Sequence, residues 1–233
     1  MLTSIRPSGG FLHYFRELLH TYRHAALLLY MALYFPWFNY LESTVTTHFH
    51  VIHMRLDDMI PFMEIFVVPY MLWFAYVAGA VLYFLFNNKK DYYKLCRFLF
   101  VGMTLFLIIS TIYPNGHYLR PMTFERDNIF VHLTQFIYSN DTPTNLFPSI
   151  HVYNSIGVNL AVQHSAELKE KKAIRLGSHI LSVLIILSTM FLKQHSVFDV
   201  ICGIVLSMVM YHFVYEKEDA YAKQTAGELL RHV

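Results

Sequence analysis

The chain has 233 residues, of which 55% are hydrophobic and 15% charged, and its formal net charge is +2. This composition is too apolar for an ordinary soluble domain and indicates an all-α, polytopic membrane protein that forms a single domain over residues 1–233. The two cysteines, Cys96 and Cys202, form no zinc or redox motif. The bilayer is an expected partner, whereas no nucleic acid, metal or other cofactor is expected, and the oligomeric state is left open.

The first predicted element is an amphipathic segment at residues 1–23. It has no small-residue cleavage site, so no cleavable signal peptide is expected. Its apolar residues share one face at helical spacing, which predicts an interfacial helix on the cytosolic leaflet. These residues are Phe11, Leu12, Phe15, Leu18, Leu19 and Tyr22.

Residues 24–215 are predicted to form a six-helix membrane core, followed by a cytosolic tail at 216–233. Each apolar stretch is near the roughly 20 residues that a helix needs to cross a bilayer. The six stretches are 24–42, 62–86, 95–113, 148–166, 174–192 and 196–215. Polar residues in the fourth stretch suit a helix that faces the interior of the bundle; they are Asn154, Ser155, Asn159 and Gln163.

The distribution of basic residues predicts the orientation. With both termini in the cytosol, most lysines and arginines fall on the cytosolic side, as expected for a multi-pass membrane protein. The basic residues left outside are Arg55, Arg120, Arg126 and Lys193.

Two features of the first outer loop have simple interpretations. His48, His50 and His53 are close in sequence but lack a closed set of metal ligands, which favours a solvated loop. Asp57 or Asp58 could cap a short turn or helix before the second span.

His195 and Asp199 form the first candidate catalytic pair. On a helix, residues four apart share a face and lie within side-chain reach. A carboxylate beside an imidazole fixes its tautomer and stabilises its charged form, as in acyl and phosphoryl transfer. The alternative is a buried polar pair that only stabilises helix packing.

A second candidate segment surrounds His151. Pro148 fits the first position of a helix, so the N–H groups of Ser149, Ile150 and His151 would be free to bind phosphate. Arg120 offers a planar fork of donors that matches phosphate oxygens. The alternatives are an ordinary capped helix with an interfacial histidine, and a loop arginine that contacts lipid headgroups.

Taken in chain order, these segments resemble the motifs of the type 2 phosphatidic acid phosphatase (PAP2) superfamily, which are Lys-x6-Arg-Pro, Pro-Ser-Gly-His and Ser-Arg-x5-His-x3-Asp. The resemblance covers about residues 113–203 and implies a helical core shared with vanadium-dependent haloperoxidases. The matching segments are Arg120-Pro121, Pro148 to His151, and Ser188-Thr189 followed by Lys193, His195 and Asp199.

The resemblance implies a role for each residue. His195 would attack phosphorus and form a phosphohistidine, Asp199 would orient it, and His151 would protonate the leaving oxygen. Arg120 and the backbone at Ser149 would hold the phosphate oxygens, with Ile150 beside them. No metal is implied.

The chain departs from the family motifs at three positions. Tyr113 replaces the first lysine, Ile150 the glycine and Thr189 the arginine, so that two cations are missing. Lys193 could replace part of that charge. Residues near the first motif are candidates to line the entrance of the site: Tyr113, Asn115 and His117.

The leading prediction is a lipid phosphatase in a bacterial inner membrane that acts on a lipid phosphomonoester or diphosphate at the extracytoplasmic face. A lipid headgroup phosphotransferase, similar to the inositol phosphorylceramide synthase branch, would use the same residues. His151, His195 and Asp199 also imitate a two-histidine, one-carboxylate metal site. A non-catalytic transporter or scaffold with a degenerate phosphate pocket is a further alternative.

Overall fold

The computed structural model describes residues 16–17 and 20–216, and within them the chain is mostly helical. The elements in chain order are a 3-10 turn (Arg23–Tyr30), α1 (Met31–Thr44), β1 (His50–Val51), α2 (Arg55–Met59), a 3-10 turn (Glu64–Phe66), α3 (Val67–Asn87), α4 (Lys89–Ile112), β2 (Asn115–Gly116), α5 (Ile129–Asn140), α6 (Ile150–His164), α7 (Lys172–Phe191), α8 (Val197–Tyr211) and a π-helical turn (His212–Glu216). The predicted helical class is confirmed. The predicted amphipathic segment 1–23 and tail 216–233 lie outside the described residues, apart from 16–17, 20–23 and 216.

Within the described residues, four helical segments are long and apolar enough to cross a membrane. They are Glu64–Asn87, Lys89–Ile112, Lys172–Phe191 and Val197–Glu216. The first and fourth predicted spans are not among them, so six spans are not confirmed. The first contains Pro36 within α1. The fourth forms α6, whose 15 residues extend only about 22 Å, less than the hydrocarbon thickness of about 30 Å.

Two glycines allow α4 and α6 to pack closely. A Cβ at Gly102 would lie 2.0 Å from the ring of Tyr153, and a Cβ at Gly157 would lie 2.5 Å from the ring of Phe98. The two rings stack with their centroids 4.7 Å apart, and the Tyr153 hydroxyl donates to the Phe98 carbonyl at 2.6 Å. Small residues permit such close approach between helices. This contact fixes α6 along α4 and thereby sets the position of the α6 N-terminus.

A third glycine brings α8 against the start of α6. A Cβ at Gly203 would lie 2.9 Å from the Ser149 carbonyl oxygen. The Ser149 N–H donates to the Asp199 carbonyl at 3.2 Å. The first turns of α6 and α8 are therefore adjacent.

The candidate site residues gather at one end of the bundle, where α4 and α7 end and α6 and α8 begin. At this end β1 pairs in parallel with β2, with His50 opposite Asn115. The opposite end carries the segment that joins α6 to α7, where Asn88 donates to Glu167 at 3.1 Å. The basic residues at that opposite end are Lys89, Lys90, Lys169, Lys171 and Lys172.

Candidate active site

His151 and His195 are in direct contact. Ser149 caps α6 by accepting the Val152 N–H at 3.4 Å, which places His151 in the first turn of the helix. His151 Nδ1 lies 3.3 Å from Nε2 of His195, which belongs to the short loop between α7 and α8. Pro148 therefore precedes the N-cap rather than occupying the first helical position, which corrects the predicted helix start.

Asp199 lies behind His195. Its Oδ2 is 3.6 Å from His195 Nδ1 and accepts the Ser196 N–H at 3.0 Å. Ser196 is the N-cap of α8, so His195 lies before the helix and Asp199 reaches back from its first turn. The predicted proximity is present, although a capping box creates it rather than the shared face of one helix.

The orientation of the His195 ring favours one tautomer. A proton on Nδ1 faces the carboxylate, which leaves the Nε2 lone pair to accept from His151 Nδ1–H. The loop is held by backbone bonds in which the N–H groups of Gln194 and His195 donate to the Thr189 carbonyl at 2.9 and 3.0 Å. The candidate nucleophile His195 is therefore on a backbone held by two hydrogen bonds.

Two aromatic rings of α3 enclose His151. The Tyr70 ring stacks on the imidazole with centroids 4.8 Å apart, and the Trp73 ring lies at 4.3 Å. The Trp73 Nε1 atom is buried without a hydrogen-bond partner. A donor in this position can bind an oxygen that approaches His151.

Arg120 lies at the site but already binds the protein. Its guanidinium donates to the carbonyls of Asp141 at 2.6 Å and Thr142 at 3.1 Å, and to Oε1 of Gln194 through a very short contact. It also lies over the Tyr138 ring, 4.5 Å from the centroid. Its Nε is buried and has no partner, so part of the donor fork is left for a ligand.

Gln194 joins Arg120 to the histidines. It is 1% exposed, its Nε2 has no partner, and its carbonyl accepts from Nε2 of His117 at 3.0 Å. The buried polar atoms left without a partner around the site include Trp73 Nε1, Arg120 Nε, Gln194 Nε2, His195 Nδ1 and Asp199 Oδ1. An unpaired buried polar atom costs about 1–3 kcal/mol. Several unpaired atoms close to the His195 imidazole indicate a site that is completed by a ligand.

Burial keeps His117 and His195 uncharged at neutral pH. Burial and the nearby charge of Arg120 lower the pKa of His195 to about 3. Burial also lowers the pKa of His117 to about 4. At neutral pH the His195 imidazole therefore carries a free lone pair, as a nucleophile requires.

Two of the predicted phosphate ligands are engaged elsewhere. Lys193 has a φ of 52°, and its Nζ donates to the carbonyls of Asp57 at 2.6 Å and Ile60 at shorter range. The Ser149 N–H is used by the Asp199 carbonyl. The structure thus gives Lys193 and the Ser149 N–H protein partners in place of a phosphate, and leaves Ile150 at the start of α6.

The predicted entrance residues separate into two groups. Asn115 and His117 are fully buried. Asn115 Oδ1 accepts the N–H groups of Leu146 and Phe147, at 2.8 and 3.0 Å, so it supports the loop before α6. Tyr113 is 44% exposed and stacks on His50. Asn115 and His117 have no contact with solvent, and a role of these residues at the entrance stays a prediction.

The histidines of the first outer loop and the alternative of a metal site form one question about possible metal ligands. His48, His50 and His53 are exposed, and His53 pairs with Asp58 at 2.8 Å. Among the described residues, no three histidine, cysteine or acidic side chains are grouped to hold a metal ion.

Sequence reasoning missed Gln194, Tyr70, Trp73 and the interactions of Asp57. Gln194 had the clearest signal, since it directly precedes the candidate nucleophile. Tyr70 and Trp73 lie in an apolar run that reads as a plain membrane span.

A known protein family matches the part of the chain that contains the candidate site. The family model described as PAP2 superfamily matches residues 119–221, which confirms the predicted resemblance. The match indicates phosphatase or phosphotransferase activity on phosphate esters and a phosphatase-type enzyme. The resemblance to the inositol phosphorylceramide synthase branch is not confirmed by this match. No curated protein and no solved structure matches the chain.

Proposed function

We propose that the chain is a lipid phosphatase that hydrolyses a lipid phosphomonoester or diphosphate through a phosphohistidine at His195. In this proposal the enzyme is a multi-pass protein of a bacterial plasma membrane, with both termini cytosolic and the active site extracytoplasmic. Its partner is the lipid phosphate itself.

One observation carries the proposal. His195 Nε2 lies 3.3 Å from His151 Nδ1, and the Asp199 carboxylate stands 3.6 Å behind the opposite ring nitrogen. A nucleophile, an acid and an orienting carboxylate are thus aligned in one buried row. The substrate phosphoryl group would enter between the two imidazoles and replace their direct hydrogen bond.

The first chemical step transfers the phosphoryl group to the protein. His195 Nε2 donates its lone pair to phosphorus while the bond between phosphorus and the lipid oxygen breaks. His151, protonated in the substrate complex, gives its proton to that oxygen, and Asp199 stabilises the positive charge that develops on His195. The unpaired donors available to the phosphoryl oxygens include Arg120 Nε, Gln194 Nε2 and Trp73 Nε1.

The second step releases phosphate. His151, now neutral, takes a proton from water as the water oxygen attacks phosphorus, and the bond from phosphorus to His195 breaks. Inorganic phosphate leaves and both histidines return to their starting states. Dividing one displacement into two steps lowers each barrier.

The test uses purified protein in detergent with a lipid phosphomonoester, a lipid diphosphate and a phosphodiester lipid. We expect wild-type protein to release inorganic phosphate and to carry an acid-labile phosphate on His195 after rapid quenching. His195→Ala should do neither while keeping its melting temperature. If wild type is inert on all three lipids, the non-catalytic alternative replaces the phosphatase.

A headgroup phosphotransferase is the second candidate, and the position of Lys193 favours it. Lys193 Nζ binds the carbonyls of Asp57 and Ile60, and Thr189 stands where the family motif has an arginine. Among the described residues, this leaves Arg120 as the cation whose charge acts on His195. A singly charged phosphodiester needs less positive charge than a phosphomonoester dianion. The products decide: a phosphorylated alcohol without free phosphate supports transfer.

The proposed orientation rests on the basic residues at the end of the bundle opposite the site. It can be tested by labelling intact cells with an impermeant maleimide after replacing Cys96 and Cys202 by serine. Met122→Cys, at a position 97% exposed near Arg120, should be labelled. Glu170→Cys, exposed in the segment that joins α6 to α7, should be labelled only after lysis. The reverse pattern would invert the orientation.

A further inference from the structure

The short helix α2 holds the loop that carries His195. Asp57, in α2, is 2% exposed. Its Oδ2 accepts the Ser196 hydroxyl at 2.6 Å and its Oδ1 accepts the Val197 N–H at 2.8 Å. A buried carboxylate needs several donors to offset its lost hydration, and these bonds supply them at the N-terminus of α8.

A second connection runs in the opposite direction. The Lys193 side chain crosses to α2 and donates to the carbonyls of Asp57 and Ile60. Its left-handed backbone, with φ of 52°, is uncommon for a lysine and requires support from its surroundings. Residues 193–197 are therefore tied to α2 on both sides of His195.

The connections continue to the candidate catalytic pair. Ser196, whose hydroxyl binds Asp57, donates its own N–H to Asp199 Oδ2 at 3.0 Å. That same oxygen faces His195 Nδ1 at 3.6 Å. The carboxylate that would orient His195 is thus itself oriented through Ser196 by Asp57, which lies far away in sequence.

We infer, building on the proposed reaction, that Asp57 is a positioning residue for phosphoryl transfer. It touches neither His195 nor His151 in the structure. It sets the direction of the Ser196 N–H, hence the orientation of the Asp199 carboxylate and the aim of the His195 lone pair. A plain structural tether would instead affect only the amount of folded enzyme.

Asp57→Asn tests this with a matched control. Asparagine keeps the size of the side chain but presents an N–H₂ group to one of the two donors. We expect kcat to fall about 10- to 100-fold with KM changed less than about threefold, since small misplacements of reacting groups cost rates of that order. Asp58→Asn, its exposed neighbour that pairs with His53, should stay within about twofold of wild type.

Two further measurements make the test decisive. Ser196→Ala, which keeps the loop length but removes the hydroxyl, should lower kcat in the same way. In protein labelled with ¹⁵N-histidine, the His195 ring signals should shift in Asp57→Asn and not in Asp58→Asn, with His195→Gln used for assignment. This spectrum needs no turnover, so it also applies if the proposed reaction is wrong.

The outcomes distinguish the positioning role of Asp57 from the proposed phosphatase reaction. Active wild type with an unchanged kcat in Asp57→Asn overturns the role of Asp57 and leaves the phosphatase standing. A loss of activity that only follows the loss of folded protein in both variants also overturns it. Inert wild type with shifted His195 signals removes the proposed reaction but supports the positioning of the ring.

Discussion

Helix α6 carries polar side chains at both ends, and the two ends differ in how these groups are paired. At the end remote from the site, Gln163 donates to Asn159 Oδ1 at 3.2 Å and to the Arg175 carbonyl at 2.8 Å. Its own Oε1 accepts Nε of Arg175 at 2.9 Å, and Ser178 donates to Asn159 at 3.3 Å. This remote network is closed by bonds between α6 and α7.

At the site end, residues around His195 keep unpaired buried atoms, including Arg120 Nε and Gln194 Nε2. Since an unpaired buried group costs stability, a closed network stabilises helix packing and an open one is available to a ligand. Unpaired buried atoms also occur at the remote end, among them Ser165 Oγ and Asp91 Oδ2, so the candidate site is distinguished by several such atoms around two histidines in direct contact.

The largest effect is expected at His195. His195→Ala should lower kcat/KM by at least about 1,000-fold, because in the proposed reaction it removes the atom that attacks phosphorus. His179→Ala is the control, since His179 is exposed and contacts Asn159 in the remote network. Initial rates on a lipid phosphate, with melting temperatures, check both variants. Equal losses in the two would remove the distinction between the ends.

The second comparison uses two glutamines. Gln194→Ala should lower kcat/KM by roughly 10- to 100-fold, the value of a hydrogen bond to a charged group. Gln163→Ala should leave kcat/KM within about threefold and lower the free energy of unfolding by about 1 kcal/mol. Steady-state kinetics and thermal melting separate these results. The comparison fails if Gln163→Ala is the more damaging to catalysis.

The third prediction concerns how the stability of the folded protein changes as the pH falls. The pKa of His117 is about 4 in the folded protein and 6.5 in an unfolded chain, so the unfolded state binds more protons as pH falls below about 6.5. Stability is therefore complete above that pH and decreases below it, by up to about 1.4 kcal/mol per pH unit for this group. The pKa of Asp141, raised to about 6 mainly by burial, acts in the opposite sense.

His117→Gln isolates the contribution of His117. Glutamine can still donate to the Gln194 carbonyl but does not titrate. Between pH 6.5 and pH 5 the variant should lose less stability than wild type in thermal melts in detergent. Parallel melting curves would show that His117 is not the group responsible.

The smallest effect is expected from the two tryptophans of the chain. Trp73→Phe keeps a ring beside His151 but removes the unpaired Nε1–H, so kcat/KM should fall about three- to tenfold. Trp37→Phe removes a donor that is already paired with Thr111 at 3.0 Å. Its activity should match wild type. Identical activity of both variants would argue against a role for the Trp73 donor.

The site residues that lie close together in sequence could be predicted from short-range patterns. His195 and Asp199 are close in sequence, and Ser149 and His151 begin a helix, so local geometry limits their positions. Their catalytic roles remain predictions. That the His151 and His195 segments meet in space could be predicted only from the order of the family motifs. Their separation in sequence gives no information on the distance between them in the fold.

The remaining features depend on tertiary contacts that no local pattern reveals. Asp57 meets Ser196 across the fold, and a left-handed backbone at Lys193 turns its side chain toward α2. His117 and Asn115 are buried although their segment reads as a polar loop. The fourth predicted stretch, 148–166, extends two residues beyond α6 at each end, because Pro148 and Ser149 precede the helix and the helix ends at His164.

Gly203 has a consequence for redesign of the enzyme. With a Cβ only 2.9 Å from the Ser149 carbonyl and 3.2 Å from Val152, even a methyl group at residue 203 must shift one backbone against the other. Alanine, serine and valine at this position would therefore give a graded series of separations between the two imidazoles while leaving both rings chemically intact. If the proposed hydrolysis holds, such a series offers a route to variants that accept bulkier phosphoryl acceptors than water.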